Sequence, residues 1–297
     1  MSCQSWLQNN TGGKKMETEE VIEIKPLEEG DTLIENYKVI THMRRGKDCD
    51  LYHLWSEERM CSVIGKTVQP NAAAKEKAAA RLTREGELIT KLSHPNLLRG
   101  YELHRGDVPV VIQETLTGET ISHLVRQTYK QSEELPLIQL AQFGKQLSSV
   151  INYLHSKDIL HLDIKPSNII SQPPLAKLFD LNLVTEPGTV RKGTGTKPYM
   201  SPEQAKGDPL TAQADVWGIG VVLFFMATCE RPFETFDDGR YDQLVRRAVP
   251  VSSLRQAKEG DELLKMIDRC LEPKPDHRTS VQEIFEICQN YITQNKQ

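Results

Sequence analysis

Apolar and polar positions follow two different rhythms along this chain, and the change falls near residue 116. From Tyr37 to Gln113, short apolar runs are separated by turn-forming residues. That pattern predicts strands at Tyr37–Met43, Leu51–Trp55, Cys61–Val68 and Val108–Gln113. One segment breaks it. Between Lys75 and Leu92 the chain is rich in Ala, Glu and Leu, and Leu82, Glu85, Ile89 and Leu92 recur at helical steps until Ser93-His94-Pro95 stops them. From about 117 onward the helical period dominates. Pro136 opens a helix with the stripe Leu140, Phe143, Leu147, Ile151 and Leu154. An irregular stretch at 158–203 follows, then helices near 213–229, 241–247, 260–271 and 280–292. Residues 1–34 are polar and Glu-rich and read as a flexible extension with at most a short strand at Val21–Ile24. The expected class is α+β: a small sheet carrying one helix, then a larger helical lobe, with a cleft between them suited to a ligand.

Composition narrows the picture. A chain of 297 residues is about twice a typical domain unit, which fits two lobes and a core large enough to need no disulfide. The formal net charge of −4 gives none of the basic footprint of a dedicated nucleic-acid binder. The six cysteines are scattered, with no CxxC pair, so neither a zinc site nor a disulfide framework is expected and a cytoplasmic, reduced location is. The first 15 residues lack the apolar core of a signal peptide. The most apolar run, Val216–Cys229, is 14 residues long, short of a bilayer span and suited to a buried helix, so no membrane partner is expected.

The strongest chemical signal is His161-Leu162-Asp163-Ile164-Lys165-Pro166-Ser167-Asn168, followed twelve residues later by Asp180-Leu181-Asn182. Two carboxylates, a lysine and an amide converge in a segment too irregular for one helix. Asn168 and Asp180 offer hard oxygen ligands of the kind magnesium uses alongside substrate phosphates. Asp163 is then free to orient a hydroxyl, and Lys165 to neutralise phosphate charge. Either piece alone reads more readily as a solvated loop with capping side chains.

Together they resemble the catalytic loop H-R-D-x-x-x-x-N and the D-F-G of the eukaryotic-like (Hanks-type) protein serine/threonine kinase family. Further matches occur in the family's order. Val63-Ile64-Gly65-Lys66 stands where the family has V-A-I-K, and Glu85 lies in the next helix. Gly195–Glu203 resembles the end of an activation segment, with S-P-E for A-P-E. Asp215-Val216-Trp217-Gly218 resembles the start of the buried helix after it, with Arg278 where an arginine pairs the terminal glutamate. The resemblance covers roughly Tyr37–Tyr291 and looks like a bacterial-type kinase domain. It implies a protein-kinase-like bilobal fold, with a domain over 35–297, a small lobe to about 115 and a large lobe from about 116.

The resemblance also implies roles. Lys66 would hold the α- and β-phosphates of ATP, positioned by Glu85. Asp163 would be the catalytic base, Lys165 would sit at the γ-phosphate, and Thr196 would brace that pair. Asn168 and Asp180 would bind Mg2+, or Mn2+. Adenine would meet the backbone of Glu114 and Leu116, with Gln113 as gatekeeper, and Met43, Leu51, Ile64 and Ile170 would sandwich the ring. Lys165 and the 196–203 segment resemble the branch whose partners are proteins with Ser/Thr acceptors. The chain is read as acting alone or as a small-lobe homodimer.

Several positions depart from the family. The phosphate-covering G-x-G-x-x-G falls on Arg44–Cys49, where only Gly46 matches, although Arg44, Arg45 and Lys47 add three cations that could meet phosphate. Cys49 takes a glycine's place near the nucleotide. Ile64 replaces a small residue above adenine, Gly100 replaces a bulky one behind the helix, and Asn182 replaces the glycine of D-F-G. Leu162 replaces the arginine that elsewhere binds an activation-loop phosphate, so activity is expected not to depend on phosphorylation of Thr185, Thr189 or Thr194. The reading that follows is ATP- and Mg-dependent phosphorylation of Ser/Thr, autophosphorylation included. A pseudokinase acting as a binding module and a small-molecule kinase are the alternatives.

Overall fold

The computed structural model describes residues 24–131, 133–255 and 261–295. The small lobe is a six-stranded antiparallel sheet in the order β1-β2-β3-β4-β6-β5, formed by Thr32–Ile34, Tyr37–Arg45, Cys49–Ser56, Cys61–Val68, Gly100–His104 (β5) and Val110–Gln113 (β6). Between β4 and β5 runs α1, Lys75–Ile89. The two faces of the sheet bury different sets of residues, as strand alternation requires. Tyr37, Val39, Tyr52, Leu54, Val63, Val110 and Ile112 close a small core of their own. On the other face, Val68 and Val111 join Ala78, Leu82 and Ile89 of α1 in the main core.

A three-stranded sheet follows the crossing into the large lobe: β7 (Glu119–Thr120), β8 (Ile169–Gln172) and β9 (Leu175–Leu178). The helices are α2 (Ile121–Lys130), α3 (Leu137–His155), α4 (Pro202–Lys206), α5 (Gln213–Thr228), α6 (Val251–Leu254), α7 (Asp261–Cys270) and α8 (Val281–Gln294). The apolar run seen in the sequence is α5. It is buried along nearly its whole length, with α3 and α7 packed against it and Trp217 stacked on Phe233 at 5.2 Å.

The sequence reading needs correction at several points. Of the 1–34 extension, residues 24–34 are held in place. Thr32–Ile34 pairs with β2, Leu27, Leu33 and Ile34 cover the small core, and the Ile24 carbonyl accepts from Arg45. Burying those apolar side chains is what draws this segment onto the sheet. Most of the expected strand at Val21–Ile24 lies outside the described residues. Strand β5 had no alternating signal, because Gly100-Tyr101-Glu102-Leu103-His104 is an edge strand that buries only its first residue. The helix expected at 241–247 is a single 3-10 turn, Asp242–Leu244, since Val245 and Val249 face solvent and offer no buried stripe. Gly100 leaves no void. A Cβ there would lie 2.5 Å from the Ile89 side chain, so α1 itself fills the space of the expected bulky residue.

Candidate active site

Strand register puts the upper half of the site on one face. Leu51 pairs with Lys66, His53 with Ile64, and Ile64 with Gln113, so Leu51, Ile64, Lys66 and Gln113 all point the same way. Glu85 sits on the buried stripe of α1, where a carboxylate needs a partner. Lys66 supplies one, its Nζ donating to both Glu85 oxygens at 2.8 and 2.7 Å and standing 3.8 Å from Asp180. Burial opposes the charge on Lys66, but the Glu85 and Asp180 carboxylates outweigh it and raise its pKa. Burial raises the Glu85 pKa, against the pull of Lys66.

The lower half is built by a hairpin. Ile169 pairs with Leu178 and the Phe179 N–H donates to the Asn168 carbonyl at 3.0 Å, which brings Asn168 and Asp180 to one end of β8 and β9. Asp163 is buried at the centre of a network. Its Oδ2 accepts from Lys165 Nζ at 2.6 Å and from Asn168 Nδ2 at 3.0 Å, and its Oδ1 accepts from the Thr196 hydroxyl at 2.8 Å. Lys165 also donates to Thr196 at 2.8 Å. Because the Asn168 amide nitrogen is engaged, its carbonyl oxygen is the end left to act as a ligand. Asn182 donates to Asp180.

Asp215, which the sequence marked only as the start of the buried helix, holds this loop. It is fully buried at the start of α5 and accepts the His161 and Leu162 N–H groups, both at 2.8 Å, with His155 Nε2 also at 2.8 Å. Burial works against its charge, yet these partners win and lower its pKa. Leu162 needs the support because its φ is 63°, a left-handed conformation costly for a branched residue. Gln204 Nε2 donates to its carbonyl at 2.9 Å and to Thr194 O at 2.8 Å, tying the activation segment to the loop. The Leu162 side chain packs with Leu160, Leu210 and Ala214, so apolar contact occupies the expected arginine position. Thr185 is buried and exchanges backbone hydrogen bonds with Leu160. Arg278 grips Glu203 with two bonds of 2.6 and 2.8 Å.

The glycine-poor loop departs from expectation. The Gly46 N–H closes a three-residue hairpin onto Cys49 O at 2.8 Å, which removes it as a phosphate donor. Arg45 is also committed, donating twice to the buried Asp50 at 2.9 Å on the face away from Lys66. A bulge makes Met43 an extra residue that is 56% exposed, and places the exposed Arg44 opposite Leu51. The tip is pinned by two residues that the sequence did not single out. The Gln69 N–H donates to Asp48 O and its Nε2 to Lys47 O, while Arg81 pairs with Asp48 at 2.7 Å. Burial pushes the Cys49 thiol up to about 11.

At the crossing between lobes, the Glu114 N–H bonds to Arg99 O, and its carboxylate accepts from the Arg99 N–H and from Lys177, both at 2.8 Å. The Leu116 N–H makes no hydrogen bond among the described residues, which leaves a donor at that point of the crossing. Gly118 is obligatory, since a Cβ there would lie 1.8 Å from Ser171 O. Ile170, partly buried, is the second residue of β8.

Comparison with known proteins agrees with this geometry. The protein kinase domain family matches residues 37–290. A probable serine/threonine-protein kinase of Clostridium acetobutylicum is 25% identical over 90% of this chain and 42% of its own length. The serine/threonine-protein kinase PkaA of Streptomyces coelicolor is 25% identical over 75% of this chain and 42% of its own. Serine/threonine-protein kinase Nek4 of Mus musculus is 30% identical over 77% of this chain and 29% of its own. The chain thus spans less than half the length of these relatives. With the family match running from the first residue of β2 into α8, and the lysine–glutamate pair, loop aspartate and terminal glutamate–arginine clasp all in place, the chain belongs to the protein kinase domain family.

Proposed function

We propose that this chain transfers the γ-phosphate of ATP to serine or threonine hydroxyls of proteins. The observation that carries the reading is the Asp163 network. A carboxylate is fixed by Lys165, Thr196 and Asn168, and the Lys66–Glu85 pair stands 3.8 Å from Asp180 in the same site. Asp163 orients the acceptor hydroxyl and takes its proton, while Lys165 neutralises charge that builds on the transferred group. Lys66 holds the α- and β-phosphates. Positioning and electrostatic stabilisation supply most of the catalysis in such a transfer. The free oxygens of Asp180 and Asn168 suit a hard divalent cation, magnesium or manganese, which when bound supplies charge neutralisation at the phosphates. The Leu116 N–H and the Glu114 backbone read adenine, Gln113 stands behind it, and Leu51, Ile64 and Ile170 face its ring.

Activity without a phosphorylated activation segment follows from the same geometry. Gln204 and the Leu162 cluster hold that segment by neutral contacts. No helix among the described residues is long and apolar enough to cross a membrane. We place the protein in the cytoplasm on its scattered free cysteines.

The test is transfer of labelled γ-phosphate from Mg·ATP to the protein itself and to Ser/Thr peptides, with Asp163→Asn alongside. Label with the wild type that disappears in the variant supports the reading. Absence of label from both, with manganese as well as magnesium, overturns it in favour of a kinase-shaped binding module.

A further inference from the structure

Arg126 and Arg231 lie near the catalytic loop without an ion-pair partner among the described residues. Arg126 on α2 and Arg231 just past α5 are both exposed, and neither forms an ion pair or hydrogen bond among the described residues. The fold brings them together. Tyr129 Oη donates to Ala227 O at 2.6 Å, fastening the end of α2 to the end of α5. Arg126 lies one turn before Tyr129, on the same face of α2. Cys229, at φ 58°, ends α5, and Arg231 follows two residues later, four positions past Ala227.

Both arginines act electrostatically on the Tyr199 hydroxyl, as does Asp163. Burial raises the Tyr199 pKa and the two guanidinium groups lower it. Tyr199 ends the 3-10 turn Lys197–Tyr199, directly after the Thr196 that bonds Asp163. That turn advances about 6 Å, or about two residues of an extended peptide at ~3.3 Å each. Gln243 fixes the turn by donating to Lys197 O and Met200 O at 3.0 and 2.9 Å. Other charges lie nearby: Lys197, exposed and without an ion-pair partner among the described residues, opens the turn and adds a further cation, Glu230 adjoins Arg231, and Asp238 is paired with Arg240.

We propose that Arg126 and Arg231 form a subsite for an anionic side chain within a few residues of the acceptor hydroxyl, so that the protein prefers Ser/Thr in acidic or already phosphorylated sequences. The inference rests on the phosphotransfer reading and names its substrate class. Carboxylate and phosphate share the chemistry. Phosphate, with its greater charge and paired oxygens, is the stronger ligand for two guanidinium groups. An ion pair at contact is worth about fivefold even in water, and exchanging attraction for repulsion doubles the logarithm, so Glu should be favoured over Lys about twenty-five-fold at low salt.

The experiment measures kcat/KM for one acceptor peptide flanked in turn by Glu, phosphoserine, Ala and Lys. It uses the wild type, Arg126→Glu/Arg231→Glu, and Lys91→Glu/Lys157→Glu as a control with the same change in net charge. The expected order is phosphoserine, Glu, Ala, Lys, expressed mainly in KM and compressed at high salt. The double arginine variant should reverse the order of Glu and Lys, and the control should keep it. A preference for Lys in the wild type, or an unaltered order in the arginine variant, overturns the subsite while leaving phosphotransfer intact. Failure of transfer to every peptide and to the protein itself removes the phosphotransfer reading, and the subsite with it.

Discussion

Asp215→Asn is the most informative single change outside the reacting groups. The carboxylate accepts two backbone N–H groups, from residues 54 and 53 positions away, and touches His155, all at 2.8 Å. Its side chain is 0% exposed, so solvent screening does not reduce what these bonds contribute. An asparagine keeps one acceptor oxygen and turns an NH2 toward groups that also donate. At least one buried N–H is then left without a partner, at about 1–3 kcal/mol, and the remaining bond loses its charge assistance. The strained Leu162 backbone also loses half its support. The sum is about 3 kcal/mol, which at roughly 2 °C per kcal/mol for a chain of this size lowers Tm by about 6 °C. The pH dependence has a definite sign. Because the folded-state pKa of Asp215 is lowered, its contribution is complete above the unfolded value and is lost as pH falls through the folded one. Thermal melts of both proteins from pH 7 down to pH 3 should therefore show a gap that is constant to about pH 4 and narrows below it. A gap under 2 °C at pH 7, or one that widens in acid, would refute the reasoning.

Three further outcomes follow from the same structure. Phosphatase-treated protein and protein phosphorylated at Thr189 or Thr194 should differ less than about threefold in kcat/KM, and a tenfold gain would show that Gln204 does not substitute for a phosphate clasp. Gly118→Ala should lower Tm by about 4 °C through overpacking worth about 2 kcal/mol, whereas Gly106→Ala, with nothing within 4 Å of its Cβ, should leave Tm unchanged. Cys49, its thiol pushed up to about 11 by burial, should resist iodoacetamide at pH 7.5 while the exposed Cys61 reacts; prompt labelling of Cys49 would mean an open loop.

Much of this protein was legible from its residues alone. The strand and helix rhythms are local, and burial followed them, so β4, α1, α5 and α8 lie within a few residues of where their apolar periods placed them. The candidate site residues were legible for a different reason. Asp163, Lys165 and Asn168 occupy one short loop whose spacing is itself the geometry, and a two-strand hairpin adds Asp180. What the sequence did not carry are contacts between distant segments that have no period. Asp215 caps a loop more than fifty residues earlier, Gln69 and Arg81 pin the hairpin between β2 and β3, and Ile89 fills the space over Gly100. Arg45 looked like a phosphate ligand until Asp50 claimed it, because the sequence gives a charge but not the face it points from. Arg126 and Arg231, 105 positions apart, come near one another only because Tyr129 fastens two helices together. Local pattern determined which elements form and which chemistry they bear. Only tertiary packing decided which charges are spent inside the protein and which remain for a substrate.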